Sequence, residues 1–186
     1  PIEYNGIKML SNQGWSLPAE QAADVKRLWQ GGHFTLKPTA GVGRIERFDD
    51  VHQIHIDAVL KLVDPAAIAG RRLKVVLDSI NGAGCAGTPR LLAALGAEVV
   101  HINNTPDGNF AHTPEPIAEN LAQLRQAVRD ARADIGFAQD PDADRLVVVD
   151  ETGRFIGEEY TLALAVQHVL SPTPGPVATN LSTSRR

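Results

Sequence analysis

Asp140-Pro141-Asp142-Ala143-Asp144-Arg145 places three carboxylates on alternate residues of one short segment. The segment is framed by Ile135-Gly136-Phe137-Ala138 and Leu146-Val147-Val148-Val149, short apolar runs of the buried-strand type. The carboxylates therefore fall in a loop between two strands. Crowding three like charges into one turn costs free energy unless a counter-charge compensates. A hard divalent cation with oxygen ligands does so, and with Mg²⁺ a substrate phosphate commonly adds a further oxygen. Arg145 is a fork-shaped donor suited to such a phosphate. A solvated acidic turn is the plainer alternative, but a loop framed by buried strands lies at a sheet end, where α/β proteins place ligands. A calcium-hand loop starting at Asp140 is rejected, because its sixth position is Arg145 where the turn needs glycine.

The rest of the chain narrows the possibilities. Its 186 residues suffice for one ordinary domain and part of another, and 43% apolar with 22% charged composition is that of a globular protein. A net charge of −4, with no basic run longer than a pair, argues against nucleic acid and anionic membrane as partners. No apolar segment approaches the roughly 20 residues that span a bilayer, so a cytoplasmic protein is expected. Cys85 is the single cysteine and sits in a Gly-rich turn, which suits packing better than reactivity. The chain starts at Pro1 without Met and stops at Arg186 just after a strand-like run, so a fragment of a longer protein is expected.

Ser16 before Leu17-Pro18, the apolar positions Ala22, Val25, Leu28 and Trp29, and Gly31-Gly32 together predict a capped helix with a glycine stop. Residues 33–43, with Pro38, Gly41 and Gly43, read as a linker, and a domain boundary is expected near Gly43. Asp50 can cap a helix with apolar positions Val51, Ile54, Ala58 and Leu62; His52 and His55, lacking a third ligand, read as surface or packing residues. Then come strand 73–78, a Gly-rich turn, a helix from Pro89 to Leu95 closed by Gly96, and strand 97–103, a β-α-β unit. A polar loop, 104–113, leads to a helix opened by Pro114 and Pro116 with Ile117, Leu121, Leu124 and Val128 as its buried stripe. Strands 134–138 and 146–149, a helix over 158–170 and a strand at 177–181 complete the pattern. Helices alternating with strands predict a three-layer α/β architecture.

Gly82-Ala83-Gly84-Cys85-Ala86-Gly87 is a literal G-x-G-x-x-G between a strand and a helix, so a dinucleotide-binding domain must be weighed. The acid that would hold the ribose hydroxyls about 20 residues on is missing; Ile102-Asn103-Asn104 stands there. The glycines read instead as serving a tight turn and close helix–strand packing.

Taken together, the acidic loop, the turn Asp78-Ser79-Ile80-Asn81-Gly82-Ala83-Gly84 and the start Pro1-Ile2-Glu3-Tyr4-Asn5-Gly6-Ile7-Lys8 resemble the phosphohexomutase superfamily of phosphoglucomutases, phosphomannomutases and phosphoglucosamine mutases. The acidic loop is similar to the family's D-G-D-A-D-R or D-G-D-G-D-R metal loop, with Pro141 replacing a glycine and all three aspartates kept. The start is similar to the segment that continues from the family's phosphoserine loop. The resemblance implies a three-layer α/β/α domain with a mixed sheet plus partial flanking domains: residues 1–43 as the end of domain 1, 44–154 as the metal-binding domain 2, and 155–186 as the start of domain 3. The active-site serine would lie just upstream of Pro1, and the phosphate-clamping fourth domain would be absent.

The activity so implied is phosphoryl transfer between C1 and C6 of a hexose phosphate through a phosphoserine and a bisphosphorylated sugar. Asp140, Asp142 and Asp144 would hold Mg²⁺, Arg145 would stabilise the transferring group, and Lys8 would be the general acid/base on the sugar hydroxyl. A non-catalytic module binding metal or sugar phosphate remains the alternative, and the chain alone is expected to be inactive. Gly157-Glu158-Glu159-Tyr160 is similar to the family's sugar-specificity motif but comes only 17 residues after Asp140, so Glu158 and Glu159 are read as opening a helix.

Overall fold

The computed structural model describes residues 8–179 and divides the chain into two compact units, Pro1–Asp49 and Asp50–Arg186. The start Pro1 to Ile7 and the last two residues of the strand expected at 177–181 lie outside the described residues. Residues 177–179 form no regular element.

The first unit contains helix α1 (Ala19–Gln30) and a single turn of 3₁₀ helix at Thr39–Gly41. The expected serine cap does not form. The N-cap is Pro18, without a side-chain bond, and Ser16 instead pairs with Leu10 in an isolated antiparallel bridge. Trp29 and Phe34 meet edge to face, with ring centroids 5.5 Å apart.

The second unit is built on a mixed sheet of β1 (Lys74–Asp78), β2 (Glu98–Ile102), β3 (Ile135–Gln139) and β4 (Leu146–Asp150) in the order β2-β1-β3-β4. The pairs β1–β2 and β1–β3 are parallel, and β3–β4 is antiparallel. Its helices are α2 (Val51–Leu60), α3 (Pro65–Gly70), α4 (Gly84–Ala94), α5 (Ala122–Ala131) and α6 (Glu158–Leu170). One sheet face, through Val76, Ala138, Val147 and Val149, packs on Leu121, Leu124 and Val128 of the α5 region, all buried. Alternation turns Val75, Leu77 and Val148 to the opposite face, where they are also buried. Helix α4 packs on β2 and α2 on α4, while α6 packs on β4. No helix among the described residues is long and apolar enough to cross a membrane.

Three local expectations need correction, and one helix was not expected. Helix α2 buries Ile56, with His52, Val59 and Leu60 half-buried, whereas Val51, Ile54 and Leu62 are exposed. The helix carries two apolar stripes, and the buried one includes His52, whose ring faces Gly87 of α4. Helix α3 was not anticipated, although Asp64 is a strong start signal: its Oδ1 accepts from the amides of Ala66 and Ala67 at 3.1 and 3.0 Å, with Pro65 next to it. Helix α4 begins at Gly84 rather than Pro89, so the glycine turn winds directly into it. Helix α5 begins at Ala122, well after Pro114 and Pro116. Prolines at 114 and 116 disfavour helical backbone at Thr113 and Glu115 before them, and tertiary bonds hold His112 and Glu115 elsewhere.

Candidate metal and phosphate site

Because β1, β2 and β3 run parallel, the loops that follow them all emerge at the same end of the sheet. These are the glycine turn after Asp78, the loop after Ile102 and the acidic loop after Gln139. Topology thereby joins two motifs about 60 residues apart in sequence.

Asp140, Asp142 and Asp144 each offer an oxygen, all within 4.8 Å of one another. Asp140 is buried and the other two are exposed. Magnesium–oxygen bonds of about 2.0–2.1 Å put opposite ligands about 4.2 Å apart, and calcium bonds somewhat more. This spacing therefore fits a hard divalent cation. Ala143, between two of the aspartates, has φ +61°, the left-handed conformation that turns the loop so that alternate carboxylates converge.

Arg145 organises the loop. Its backbone amide and Nε donate to the two oxygens of Asp140, each at 3.0 Å, and its Nη1 donates to Glu115 at 2.7 Å. These bonds, that to Glu115 foremost, push its pKa further above the ordinary arginine value. A guanidinium has five N–H donors, and these side-chain bonds use two.

The glycine turn supports the loop from beneath. The Ala83 amide donates to the Pro141 carbonyl at 2.9 Å. A Cβ on Gly82 would meet that same carbonyl at 2.5 Å, one on Gly84 would collide with Oε1 of Gln139, and one on Gly87 would lie 2.9 Å from Nδ1 of His52. Each glycine of the G-x-G-x-x-G is thus taken up by close contact with the protein's own atoms. The backbone approach that a dinucleotide pyrophosphate requires is already filled. Cys85 is buried, which pushes its thiol pKa up, in keeping with packing.

The loop after Ile102, a polar connection by its sequence, holds what sequence reasoning missed. Asp78, 1% exposed, accepts from the Ile80 amide and from Asn103 Nδ2 through Oδ1, and its Oδ2 lies 3.1 Å from His112 Nε2. The other ring nitrogen of His112 faces the Thr113 carbonyl at 2.9 Å. Both nitrogens face acceptors, an arrangement that favours the doubly protonated ring, and its pKa is raised, chiefly by the bond to Asp78. Asn81 fastens the same loop, its Oδ1 accepting from the Thr105 amide and its Nδ2 donating to the Asn109 carbonyl. Ile80 and Asn81 both have left-handed φ, +47° and +58°. For a buried β-branched residue such as Ile80 this is strained, and such outliers gather at functional sites. Asp78 and Asn81 belong to the turn that carries the family resemblance, whereas the signal for Asn103 and His112 was position alone: a polar loop after a parallel strand, on the ligand-binding side of the sheet.

Of the residues expected to act, Asp140, Asp142, Asp144 and Arg145 come together. Lys8 belongs to the first unit, exposed, lining a pocket of about 640 Å³ with Met9, Leu10, Trp29 and Phe34. Gly157 precedes α6, and Glu158 and Glu159 form its first turn.

Sheet order, three convergent loops and a triple-aspartate turn whose first carboxylate is held by Arg145 define an α/β domain with a candidate divalent-cation site at one end of its sheet. The sequence matches the family profile for Phosphoglucomutase/phosphomannomutase, alpha/beta/alpha domain II, over residues 53–153, and the chain belongs to that family. It is 42% identical, over 99% of its length and 41% of the relative, to the Phosphoglucomutase/phosphomannomutase of Thermococcus kodakarensis. It is 38% identical, over 99% of its length and 42% of the relative, to a protein of Methanosarcina barkeri named "Probable phosphoglucosamine mutase". The crystal structure of a Phosphoglucomutase/phosphomannomutase family protein from Burkholderia thailandensis superposes with TM-score 0.66 at 31% identity, covering 86% of this chain and 33% of that one. A structure from Thermus thermophilus, TM-score 0.71 at 24% identity over 85% of this chain and 36% of that one, shares the fold. The chain spans about two-fifths of the length of the curated relatives it matches.

Proposed function

We propose that this chain supplies the metal-binding part of a phosphohexomutase, which moves a phosphoryl group between C1 and C6 of a hexose phosphate by way of a phosphoserine and a bisphosphorylated sugar. The observation that carries the reading is the convergence of three aspartate oxygens within 4.8 Å, with Arg145 gripping Asp140, in a chain of this family. Residues 1–43 are assigned to domain 1, 44–154 to the metal-binding domain 2, and 155–186 to domain 3.

Asp140, Asp142 and Asp144 are the proposed Mg²⁺ ligands. When bound, the ion supplies Lewis-acid neutralisation of charge on a phosphoryl oxygen. Asp140 presents its carboxylate in a fixed direction because Arg145 grips both oxygens. Phosphoryl transfer depends on positioning and charge stabilisation more than on covalent chemistry. Arg145, partly exposed at 38%, offers its remaining donors to the transferring group. Lys8 is the proposed carrier of the sugar hydroxyl proton. On this reading the 186-residue chain has no mutase turnover by itself, and measurable conversion of glucose 1-phosphate to glucose 6-phosphate would count against it.

Calorimetric titration with Mg²⁺ tests the site directly. The wild-type chain should bind, and Asp142→Asn, which removes one ligand charge, should weaken affinity by about tenfold or more. Equal affinity of the two proteins would remove Asp142 from the site.

A further inference from the structure

We propose that Glu115 is a positioning residue for the acidic loop: it fixes the Arg145 guanidinium between itself and Asp140, limiting that guanidinium's competition with a divalent cation for the aspartates. The inference rests on the cation reading given above, but its geometry is independent of any metal.

A permanent cation directly follows a segment of three carboxylates. A guanidinium and a divalent metal seek the same oxygens, so Arg145 can either support the loop or neutralise it. Its bonds decide which. Nε and the backbone amide donate to Asp140, while Nη1 turns to Glu115, a residue 30 positions earlier, through the shortest contact of the set at 2.7 Å.

Glu115 is itself held. Pro114 and Pro116 flank it, and the second restricts its backbone to extended conformations. Its carbonyl accepts from the Ile117 amide at 2.9 Å and from Asn120 Nδ2 at 2.8 Å. Three residues before it, His112 is anchored to the buried carboxylate of Asp78. The side chain of Glu115 is 56% exposed, and an ion pair that exposed contributes little to stability. Its constrained backbone and short bond therefore serve the placement of Arg145 rather than the fold, and substitution at 115 should leave the chain folded.

Mg²⁺ titration calorimetry on the 186-residue chain tests this with Glu115→Gln, Glu115→Asp, Arg145→Ala and the double variant Glu115→Gln/Arg145→Ala. Glu115→Gln should weaken Mg²⁺ binding about tenfold. The same change made in Arg145→Ala should have no effect, because Glu115 acts only through the guanidinium. Glu115→Asp keeps the charge but loses reach, and should resemble Glu115→Gln. The proposal is overturned if the glutamate's effect is the same with and without Arg145, or if aspartate restores wild-type affinity, since either result assigns the effect to charge alone. A metal-free arm follows the Arg145 Nη–H signals by ¹⁵N NMR. They should stand apart from the other arginines in the wild type and in Asp142→Asn, and merge with them in Glu115→Gln; persistence in Glu115→Gln overturns the proposal whatever the metal does. Loss of the signals in that variant, together with no Mg²⁺ binding by the wild type, would support the hold on Arg145 and remove the cation reading alone.

Discussion

The Ala83 amide donates to the Pro141 carbonyl at 2.9 Å, and through that bond the glycine turn after β1 carries the acidic loop after β3. The contact exists because Gly82 has no side chain: a Cβ there would lie 2.5 Å from the Pro141 oxygen and 3.0 Å from its Cα. Both neighbours are backbone, so neither can rotate away. Gly82→Ala should lower stability by about 1–3 kcal/mol, read as a lower urea midpoint, and should weaken Mg²⁺ binding by displacing the loop. Gly70→Ala, where nothing lies within 4 Å of the added carbon, is the control and should be neutral or stabilising by up to about 1 kcal/mol. Equal behaviour of the two variants would show that the turn does not support the loop.

That contact also shows how far the sequence could be read. Strands β1 to β4 announce themselves as apolar runs bounded by turns, and the acidic loop stands out because three like charges need a shared partner. Helix α6 begins at Glu158 as expected, where acidic residues favour a helix N-terminus. What local pattern could not supply were partners distant in sequence: Asp78 with His112, Arg145 with Glu115, Gly84 against Gln139. The same distance explains the misjudged helices. Residues 112–121 have an apolar pattern suited to helix, yet His112 and Glu115 are committed to two other loops. In α2 the half-buried stripe runs through a histidine that a hydrophobicity count scores as polar.

His112 and Asp78 form a buried ion pair whose effect depends on pH. The folded-state pKa of His112 lies above its ordinary value, chiefly through its bond to Asp78. The pair's contribution is therefore complete below the unfolded pKa of about 6.5 and is lost as pH rises through the folded value. His112→Gln leaves Asp78 without its counter-charge and should cost about 3 kcal/mol at pH 6. The gap between wild type and variant should then shrink on raising the pH. His101, pushed down by burial, loses stability in the opposite direction, as pH falls, so the difference between the two proteins isolates His112. Urea midpoints that stay parallel from pH 6 to pH 9 would exclude a charged ring at this position.

Gly136 sets the distance between the sheet and α5. It pairs with Val76 and Val149, and a Cβ on it would sit 2.6 Å from Val128 Cγ2 and 3.2 Å from Leu124 Cδ1. Those side chains are fully buried and have little room to yield. Gly136→Ala should destabilise by about 1–3 kcal/mol. Adding Val128→Ala removes the nearest clash, so the double variant should lose less than the sum of the two single changes. Strict additivity in urea unfolding would mean that α5 approaches the sheet for another reason.

Ala143 separates the strain of the acidic loop from its chemistry. Its φ of +61° costs an L-residue about 1–2 kcal/mol that glycine does not incur. Part of that gain returns as the greater freedom of glycine in the unfolded chain, about 0.4–1 kcal/mol. Ala143→Gly should therefore stabilise by about 0.5 kcal/mol and leave Mg²⁺ affinity unchanged, because the aspartates on either side keep their places. Ala143→Val should do the reverse: a β-branched residue resists this φ, and Ala143 Cβ already lies 3.3 Å from where a side chain on Gly84 would begin. Valine should lower both the urea midpoint and the Mg²⁺ affinity. If it lowered the midpoint while affinity held, convergence of the aspartates would not depend on the left-handed turn.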